Sequence, residues 1–181
     1  MTALDDVRLG PNSNHTVSDL AAAEPQHVAP AVEAALLEIP EAMLKPVTQP
    51  GTRFVFQPRM LLGLLVFWYA RQVYDSTTIV AELRRDLTRC HLPLEHIPDT
   101  ELLRRFRSEN RAVLHSCLTT VLRSLARTKM ALGIITHLSD RQIAEEASRR
   151  IIMAMFADSI ESDSEFLAGE RPSEYFTVAK E

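Results

Sequence analysis

The sequence predicts an all-α protein of about five helices. Apolar residues recur at the 3.6-residue period of a helix in several segments, whereas segments that alternate as a β-strand does are scarce. Glycine is also scarce, with 5 among 181 residues, which disfavours both an all-β fold with many tight turns and a glycine-rich phosphate-binding fold. The length suits one domain with flanking segments.

The first part of the chain predicts a disordered leader, one helix and a linker. Residues 1–28 contain several prolines and asparagines and no sustained apolar period, which is typical of a leader without fixed structure. Residues 30–45 carry apolar side chains at helical spacing, and Pro40 must end or kink that helix. Residues 46–58 hold three prolines and predict a linker, in which 53–56 is the single candidate strand.

Two helices of different character follow the linker. Pro58 suits the first turn of a helix, and residues 60–69 are apolar nearly all round, which predicts a central core helix with Trp68 and Tyr69 buried. After a short polar turn, residues 77–87 predict a second, amphipathic helix. The pair resembles a helix-turn-helix unit, although its turn lacks the usual glycine.

A long helix is predicted in the centre of the remaining sequence. Residues 88–99 contain two prolines and predict a loop, and Asp99 or Thr100 is expected to cap the helix that follows. That helix is predicted to run to about residue 129, or about 45 Å at about 1.5 Å per residue. Asn110 lies on its apolar face, which predicts a buried hydrogen-bonding residue rather than a site residue.

The last predicted helix begins at a capping box. Ser139 and Gln142 have the required spacing, and the helix after them is predicted to end near residue 160. Its inward positions are predicted at steps of four residues: Ile143, Ala147, Ile151 and Met155. Residues 161–181 predict a frayed acidic tail, so the helical domain is predicted to cover 29–160.

The charge is divided unevenly along the chain. Residues 1–50 and 138–181 each carry a net charge of −5, and residues 51–137 carry +6, for a total of −4. A basic centre between acidic segments indicates a polyanion as a partner. The alternative is that helices of opposite charge neutralise one another within the fold.

Arginines cluster on the helix predicted from Thr100. At about 100° per residue, Arg104, Arg107 and Arg111 form a stripe beside the apolar face, and Arg105 lies on the far side. Three guanidinium groups on one helix face suit phosphate oxygens or guanine edges. The competing interpretation is that these arginines pair with nearby acidic residues or with the acidic ends of the chain.

The sequence contains no recognisable catalytic or metal motif. Walker loops, nucleophile elbows and metalloprotease motifs are missing, and no spacing of acidic residues indicates a two-metal site. Several cysteines and histidines occur near the centre of the chain, but none has the paired spacing that zinc sites favour. They are Cys90, His91, His96, His115 and Cys117. We therefore expect no metal, no cofactor and no enzymatic activity.

The sequence predicts a soluble cytoplasmic protein. No basic N-terminal segment precedes an apolar one, so a signal peptide is not expected. The most apolar run, residues 60–70, is shorter than the about 20 residues that a membrane span needs.

Five segments between residues 56 and 122 form a recognisable series: Pro58-Arg59-Met60-Leu61-Leu62-Gly63, Tyr74-Asp75-Ser76-Thr77-Thr78-Ile79, Glu82-Leu83-Arg84-Arg85-Asp86, Ile97-Pro98-Asp99-Thr100-Glu101 and Arg105-Phe106-Arg107. With them, residues 56–122 resemble the helical N-terminal domain of insertion-sequence transposases, which precedes a DDE nuclease domain. The family pattern is a proline followed by a leucine-rich helix, a serine-started helix, and a Pro-Asp/His-x-Thr/Ser segment that leads into Arg-Phe-Arg. The chain departs from that pattern just before Pro58 and in 92–96.

The resemblance implies DNA binding without DNA cleavage. After Val121 only 60 residues remain, and their helical pattern leaves no room for a ribonuclease-H-like sheet. The expected partners are DNA, a separate catalytic transposase subunit and a second copy of the chain. The expected DNA-binding residues are Arg84, Arg85, Arg104, Arg105, Arg107 and Arg111. The alternative hypothesis is a helical protein–protein interaction module whose own acidic helices cover the basic stripe.

Overall fold

The computed structural model describes residues 25–51, 55–89, 97–135 and 137–169, and within them it contains helices and no strand. The elements are α1 (Pro25–Leu37), a short 3-10 turn (Glu41–Met43), α2 (Pro58–Ala70), α3 (Ser76–Arg89), α4 (Thr100–Glu109), α5 (Arg111–Ala131) and α6 (Asp140–Gly169). The predicted all-α class is confirmed for this part of the chain. None of the described helices is both long enough and apolar enough to cross a membrane.

The structure has six α-helices in the described residues, because the long helix predicted from Thr100 is divided at Asn110. The side chain of Asn110 accepts a hydrogen bond from the N–H of Lys45 at 2.7 Å and donates to the Lys45 carbonyl at 3.1 Å. It also donates to the carbonyl of Phe106 at 3.2 Å. An asparagine side chain bonded to backbone groups competes with regular helix, which explains the break. The predicted burial and hydrogen bonding of Asn110 are confirmed.

Helices α2 and α5 share the centre of the fold. Helix α2 is buried on most sides, as its sequence predicts, and both Trp68 and Tyr69 belong to the core. Helix α5 packs against α1, α2, α4 and α6, so it shares the central position that the sequence assigns to α2 alone. The hydrophobic core is continuous from Val28 in α1 to Ala154 in α6.

Helix α1 approaches α2 closely at a glycine. A Cβ atom on Gly63 would lie 2.8 Å from Cδ1 of Leu36, so a larger residue there would displace the Leu36 side chain. Arg59 fixes the same junction, since its guanidinium donates to the carbonyls of Leu36 at 3.0 Å and Ile39 at 2.9 Å. The Leu36 carbonyl lies in the last turn of α1, where it also accepts the N–H of Ile39 at 3.3 Å, and Ile39 follows the end of the helix.

Two of the predicted helix caps are confirmed. The carboxylate of Asp99 accepts a hydrogen bond from the N–H of Leu102 at 2.6 Å. Ser139 and Gln142 form the reciprocal capping box, with the Ser139 N–H bonded to Gln142 at 2.9 Å and the Gln142 N–H to Ser139 at 3.3 Å. Each bond satisfies a backbone donor that the first turn of a helix leaves without a partner.

The boundaries of the predicted segments differ from the observed ones in several places. Helix α1 begins at Pro25, inside the predicted leader, and ends at Leu37, shortly before Pro40. Helix α6 continues to Gly169, inside the predicted tail. The candidate strand lies partly outside the described residues, and its described end, Val55 and Phe56, is not a strand. Phe56 is buried, which explains the apolar character of this segment.

The turn between α2 and α3 contains the backbone conformation that usually requires glycine. Gln72 has a φ of 63°, in the left-handed region that side chains disfavour. The two helices have different main packing partners, because α2 lies mainly against α1 and α5 while α3 lies against α4 and α6. The resemblance of the pair to a helix-turn-helix unit therefore stays a prediction.

Candidate functional site

Arg107 lies inside the protein rather than on its surface. The residue is 4% exposed, and its Nη1 donates to the hydroxyl oxygen of Tyr69 at 2.7 Å. Its Nη2 forms an ion pair with the carboxylate of Asp158 on α6. Arg107 therefore connects α2, α4 and α6. Its guanidinium is buried, whereas contact with DNA would require it to be exposed.

Asp158 is the centre of this buried network. Its carboxylate accepts hydrogen bonds from the N–H and the hydroxyl of Ser76, each at 3.1 Å, and lies 3.8 Å from Nε of Arg104. Ser76 is the first residue of α3, so the carboxylate lies where the helix dipole favours negative charge. Asp75 adds a second carboxylate there, bonded to the N–H of Thr78 at 2.7 Å. The network connects four helices through one side chain of α6.

Tyr69 is the neutral member of the network. Burial raises the pKa of its phenol above the ordinary value of 10.0, and the nearby charge and hydrogen bond of Arg107 only partly oppose that effect. The phenol therefore stays protonated at neutral pH, so Asp158 provides the anionic partner of Arg107.

The three arginines of the predicted stripe line one groove. Arg104, Arg107 and Arg111 form one wall, with Met155 and Asp158 of α6 opposite, around a volume of about 310 Å³. The structure therefore brings the stripe together, as the helical period predicts. Only Arg111 of the three is exposed, because α6 lies against the stripe and supplies a carboxylate to its centre.

The other three predicted arginines lie outside that groove. Arg84 and Arg85 are exposed on α3, where Arg85 forms ion pairs with Glu82 and Asp86. Arg105 is half-buried, and its Nη1 lies 3.4 Å from the carbonyl oxygen of Thr48. Acidic side chains thus accompany Arg85 directly, which reduces the positive potential of this surface.

A second buried ion pair was not found by the sequence analysis. Nε of Arg150 donates to Oε1 of Glu146 at 2.7 Å, and both residues lie in the interior. Nη1 of Arg150 also donates to the carbonyls of Tyr69 at 3.0 Å and Ala70 at 2.8 Å. Arg150 thereby satisfies carbonyls at the end of α2. The i, i+4 spacing of Glu146 and Arg150 indicates a pair, but the spacing alone is equally typical of an exposed one.

Glu146 should make the stability of the protein dependent on acid pH. Burial alone would raise the pKa of Glu146, but hydrogen bonds from Arg149 and Arg150 outweigh it and hold the pKa below the ordinary value of 4.5. Because the pKa is lowered, the contribution of Glu146 to the free energy of unfolding is complete above about pH 4.5. It is lost as the pH falls through the pKa of Glu146 in the folded state. Unfolding free energies measured by urea titration should fall more steeply from about pH 5 to about pH 3 in the natural protein than in Glu146→Gln. Parallel pH profiles would contradict this assignment.

The predicted inward face of α6 is correct for three positions and wrong for the fourth. Ile143, Ala147 and Ile151 are buried, whereas Met155 is 44% exposed. Each step of four residues rotates the position by about 40°, so three steps carry Met155 well away from the starting direction. Ala154 therefore takes the buried position at this level.

The outer face of α6 is apolar and exposed, which the sequence analysis also did not identify. Its members are 40–60% exposed although all are large and apolar: Ile152, Met153, Phe156 and Ile160. Met155, which is 44% exposed, lies beside them at the arginine groove. Isolated apolar side chains on a surface are ordinary, but a contiguous group is typical of an interaction site. The sequence signal was available, since the helix is apolar on both faces between Ile151 and Phe156.

Two of the five cysteines and histidines considered as metal ligands, Cys117 and His115, lie in the described residues and have structural roles. Cys117 is buried, and burial raises the pKa of its thiol to about 11, which keeps it protonated. Nε2 of His115 lies 2.9 Å from Oγ of Ser148 and 3.1 Å from the carbonyl oxygen of Ala144, and so links α5 to α6. Across the described ranges, no group of three or more potential ligands is placed to hold a metal ion. The other candidates, Cys90, His91 and His96, lie outside those ranges.

The chain matches no protein-family model, no curated protein and no solved structure at a significant level. The resemblance of residues 56–122 to transposase N-terminal domains therefore stays a prediction.

Proposed function

We propose that the protein is a helical interaction module that binds a helix of another polypeptide through the exposed apolar face of α6. The observation that carries the proposal is the difference between the two faces of this helix. One face holds Arg104 and Arg107 through Asp158, and the other presents large apolar side chains to solvent.

The inward face of α6 supports the proposal because its carboxylate lies against two arginines of the basic stripe, inside the fold. Asp158 forms an ion pair with Arg107 and approaches Arg104, so two of the three stripe arginines are directed to the protein's own carboxylate. A buried ion pair contributes little net stability over apolar packing, but removing one partner leaves a costly unpaired charge. The arginines are therefore held in the fold by Asp158.

The outer face of α6 supports the proposal because it resembles the centre of a protein interface. Phe156 is 60% exposed, and Ile152, Met153 and Ile160 on the same face are exposed as well. Large aromatic residues and methionine are enriched at interfaces, and apolar anchors near the centre provide most of the binding energy. A partner helix with an apolar face would remove these side chains from water.

A site-specific photo-cross-linker tests this function in the intact chain. A benzophenone amino acid placed at position 156 should give a covalent product with a second polypeptide in cells that make the protein. The matched control places the same probe at Leu132, which is 67% exposed but lies at the end of α5. No product at 156, or equal products at both positions, would refute the proposed module.

DNA binding is the second candidate function. It rests on the resemblance of 56–122 to transposase N-terminal domains, with α2 and α3 as a helix-turn-helix-like pair, and on the arginines that remain at the surface. Arg111, Arg84 and Arg85 are exposed in the structure, and Arg105 is half-buried. In this case the chain would be a truncated element, one half of a split transposase with a separate catalytic subunit, or a domesticated regulator.

The salt dependence of DNA binding tests this second candidate. If Arg105 and Arg111 contact phosphates, the double variant Arg105→Ala, Arg111→Ala should bind duplex DNA more weakly than the natural protein. The slope of log K against log salt concentration should also fall by about 0.9 for each lost contact. Arg107 is excluded from the variant, because its replacement would disturb the buried network.

The control for this experiment is Arg141→Ala, which removes an exposed arginine on α6. Arg141 forms its ion pair with Glu145 at 2.7 Å and lies outside the region of the resemblance. Its replacement should leave affinity and slope unchanged. If the double variant behaves like this control, Arg105 and Arg111 do not contact DNA. If the natural protein does not bind duplex DNA, the DNA-binding function is wrong.

A further inference from the structure

We propose that the groove between α5 and α6 binds a small organic carboxylate, with Arg111 as the partner for its negative charge. The groove is lined by Ser148 and Ile151 of α6 and not by Phe156. This site is therefore separate from the outer face of α6, and it does not depend on the proposed interaction function. Its shape, its walls and its charge each indicate the same class of ligand.

Two concave regions of the surface meet at Arg111. The larger one has a volume of about 450 Å³ and lies between the start of α5 and the middle of α6. The smaller one is the arginine groove of about 310 Å³ described above. Sites for small molecules usually measure about 300–1,000 Å³. The larger region therefore has enough room for a ligand that contains one ring or a short chain.

The walls of the larger region are apolar, with a few fixed polar groups. Ala112 of α5 and Ile151 of α6 provide apolar surface. Nε2 of His115 and Oγ of Ser148, which lie 2.9 Å apart, provide the polar groups. A concave, mainly apolar surface with a few convergent polar groups is typical of a ligand site. No acidic residue is among the described side chains that line this region, so its walls do not repel an anion.

Arg111 differs from the other two arginines of the stripe in its partners. Arg107 forms an ion pair with Asp158, and Arg104 lies 3.8 Å from the same carboxylate. Arg111 is exposed, and within the described part of the chain no carboxylate pairs with it. A guanidinium offers two parallel N–H donors that match a carboxylate in a bidentate contact. Arg111 is therefore available to bind the anionic group of a ligand that lies against Ala112.

The charges around Arg111 favour a carboxylate over a phosphate. One exposed guanidinium matches a single negative charge. Asp158 lines the adjoining groove, where it would oppose a second negative charge on the ligand. A phosphate monoester carries about −1.5 to −2 charges at neutral pH, whereas a carboxylate carries one. The ligand class is therefore a monocarboxylate with an apolar ring or a short apolar chain.

Titration of the full chain with benzoate, followed in two-dimensional NMR spectra of the backbone amides, tests this site. Benzoate should shift the signals of residues around Arg111 and Ser148 and saturate with a Kd in the millimolar range, as expected for so small a ligand. Benzamide has nearly the same shape without the charge. It should bind at least about 10-fold more weakly, which is near the lower end of what a charged hydrogen bond contributes. If neither benzoate nor hexanoate gives saturable shifts, the site is wrong.

Two variants separate the contribution of the charge from that of the cavity. Arg111→Met keeps an apolar stem and removes the guanidinium, so benzoate should bind about 10-fold more weakly while benzamide is little affected. Ala112→Phe fills the larger region and should prevent binding of both compounds. Circular dichroism should show unchanged helicity, because both positions are exposed.

The matched controls are Arg141→Met on α6 and Ser116→Phe on α5. Both positions are exposed and lie outside the residues that line the larger region. Both variants should bind benzoate like the natural protein. Equal benzoate affinity in all four variants would overturn the site.

Phenyl phosphate tests the class of ligand. It should bind more weakly than benzoate, because Asp158 opposes its additional charge. If phenyl phosphate binds more tightly than benzoate and loses that affinity in Arg111→Met, the assignment to carboxylates is overturned.

Discussion

Replacing Asp158 by alanine should lower the free energy of unfolding by about 3–5 kcal/mol. The variant leaves the guanidinium of Arg107 charged, 4% exposed and without its carboxylate partner. It also removes the acceptor for both hydrogen bonds from Ser76 at the start of α3. The loss should appear as a lower urea midpoint with an unchanged m-value.

A double variant isolates the cause of that loss. Asp158→Leu combined with Arg107→Met replaces the buried pair by apolar side chains of similar length and should recover a large part of the stability. Tyr69 then loses its hydrogen-bond partner, so full recovery is not expected. The surface control is Glu145→Ala, which breaks an exposed pair on the same helix and should change stability little. If Asp158→Ala were as mild as this control, the network would not hold α6 to the other helices.

Replacing Arg150 by alanine should cost a similar amount, about 3–5 kcal/mol. Arg150 is fully buried, and its loss leaves Glu146 in the interior with only the half-exposed Arg149 as a counter-charge. The carbonyl of Ala70 also loses the donor that Arg150 provides, and an unsatisfied buried acceptor costs about 1–3 kcal/mol. The carbonyl of Tyr69 loses Arg150 but keeps the N–H of Gln72 at 3.1 Å. Urea unfolding at neutral pH measures the sum of these effects.

Arg149→Ala is the matched control for this prediction, since it removes a neighbouring arginine from the same carboxylate. The Arg149 side chain is 52% exposed, and its loss should cost at most about 1 kcal/mol. The penalty of Arg150→Ala should also shrink as the pH falls below about 4.5 and through the lowered pKa of Glu146, because a protonated Glu146 no longer leaves a buried charge. A penalty independent of pH would show that the lost carbonyl bonds and packing, not the charge, dominate.

The arginine stripe shows how far the sequence predicts the candidate site. The helical period correctly places Arg104, Arg107 and Arg111 along one side, and they line one groove. Their exposure differs because α6, whose Asp158 lies 51 positions after Arg107, packs against that side. In the Arg-Phe-Arg segment, which is part of the resemblance to transposase N-terminal domains, both Phe106 and Arg107 are buried. Residue type at helical spacing therefore located these side chains but did not determine which of them meet solvent.

The sequence by itself determined the local features of this protein. Apolar periodicity gave the helical class, the capping residues Asp99 and Ser139 marked two helix starts, and the nearly uniform apolar run after Pro58 identified a core helix. Each of these features depends on residues within about four positions of one another, because helical hydrogen bonds and caps join residues at that separation.

Only the tertiary structure decided which charges are buried and which apolar side chains are left outside. Asp158 meets Ser76 across 82 positions, Arg150 meets the end of α2 across 80, and Asn110 holds Lys45 across 65. Whether a charged side chain is buried depends on what packs against it, and those neighbours come from distant parts of the sequence. The same packing covers one side of α6 and leaves Phe156 in solvent, because the domain has no further helix in its described part to place there.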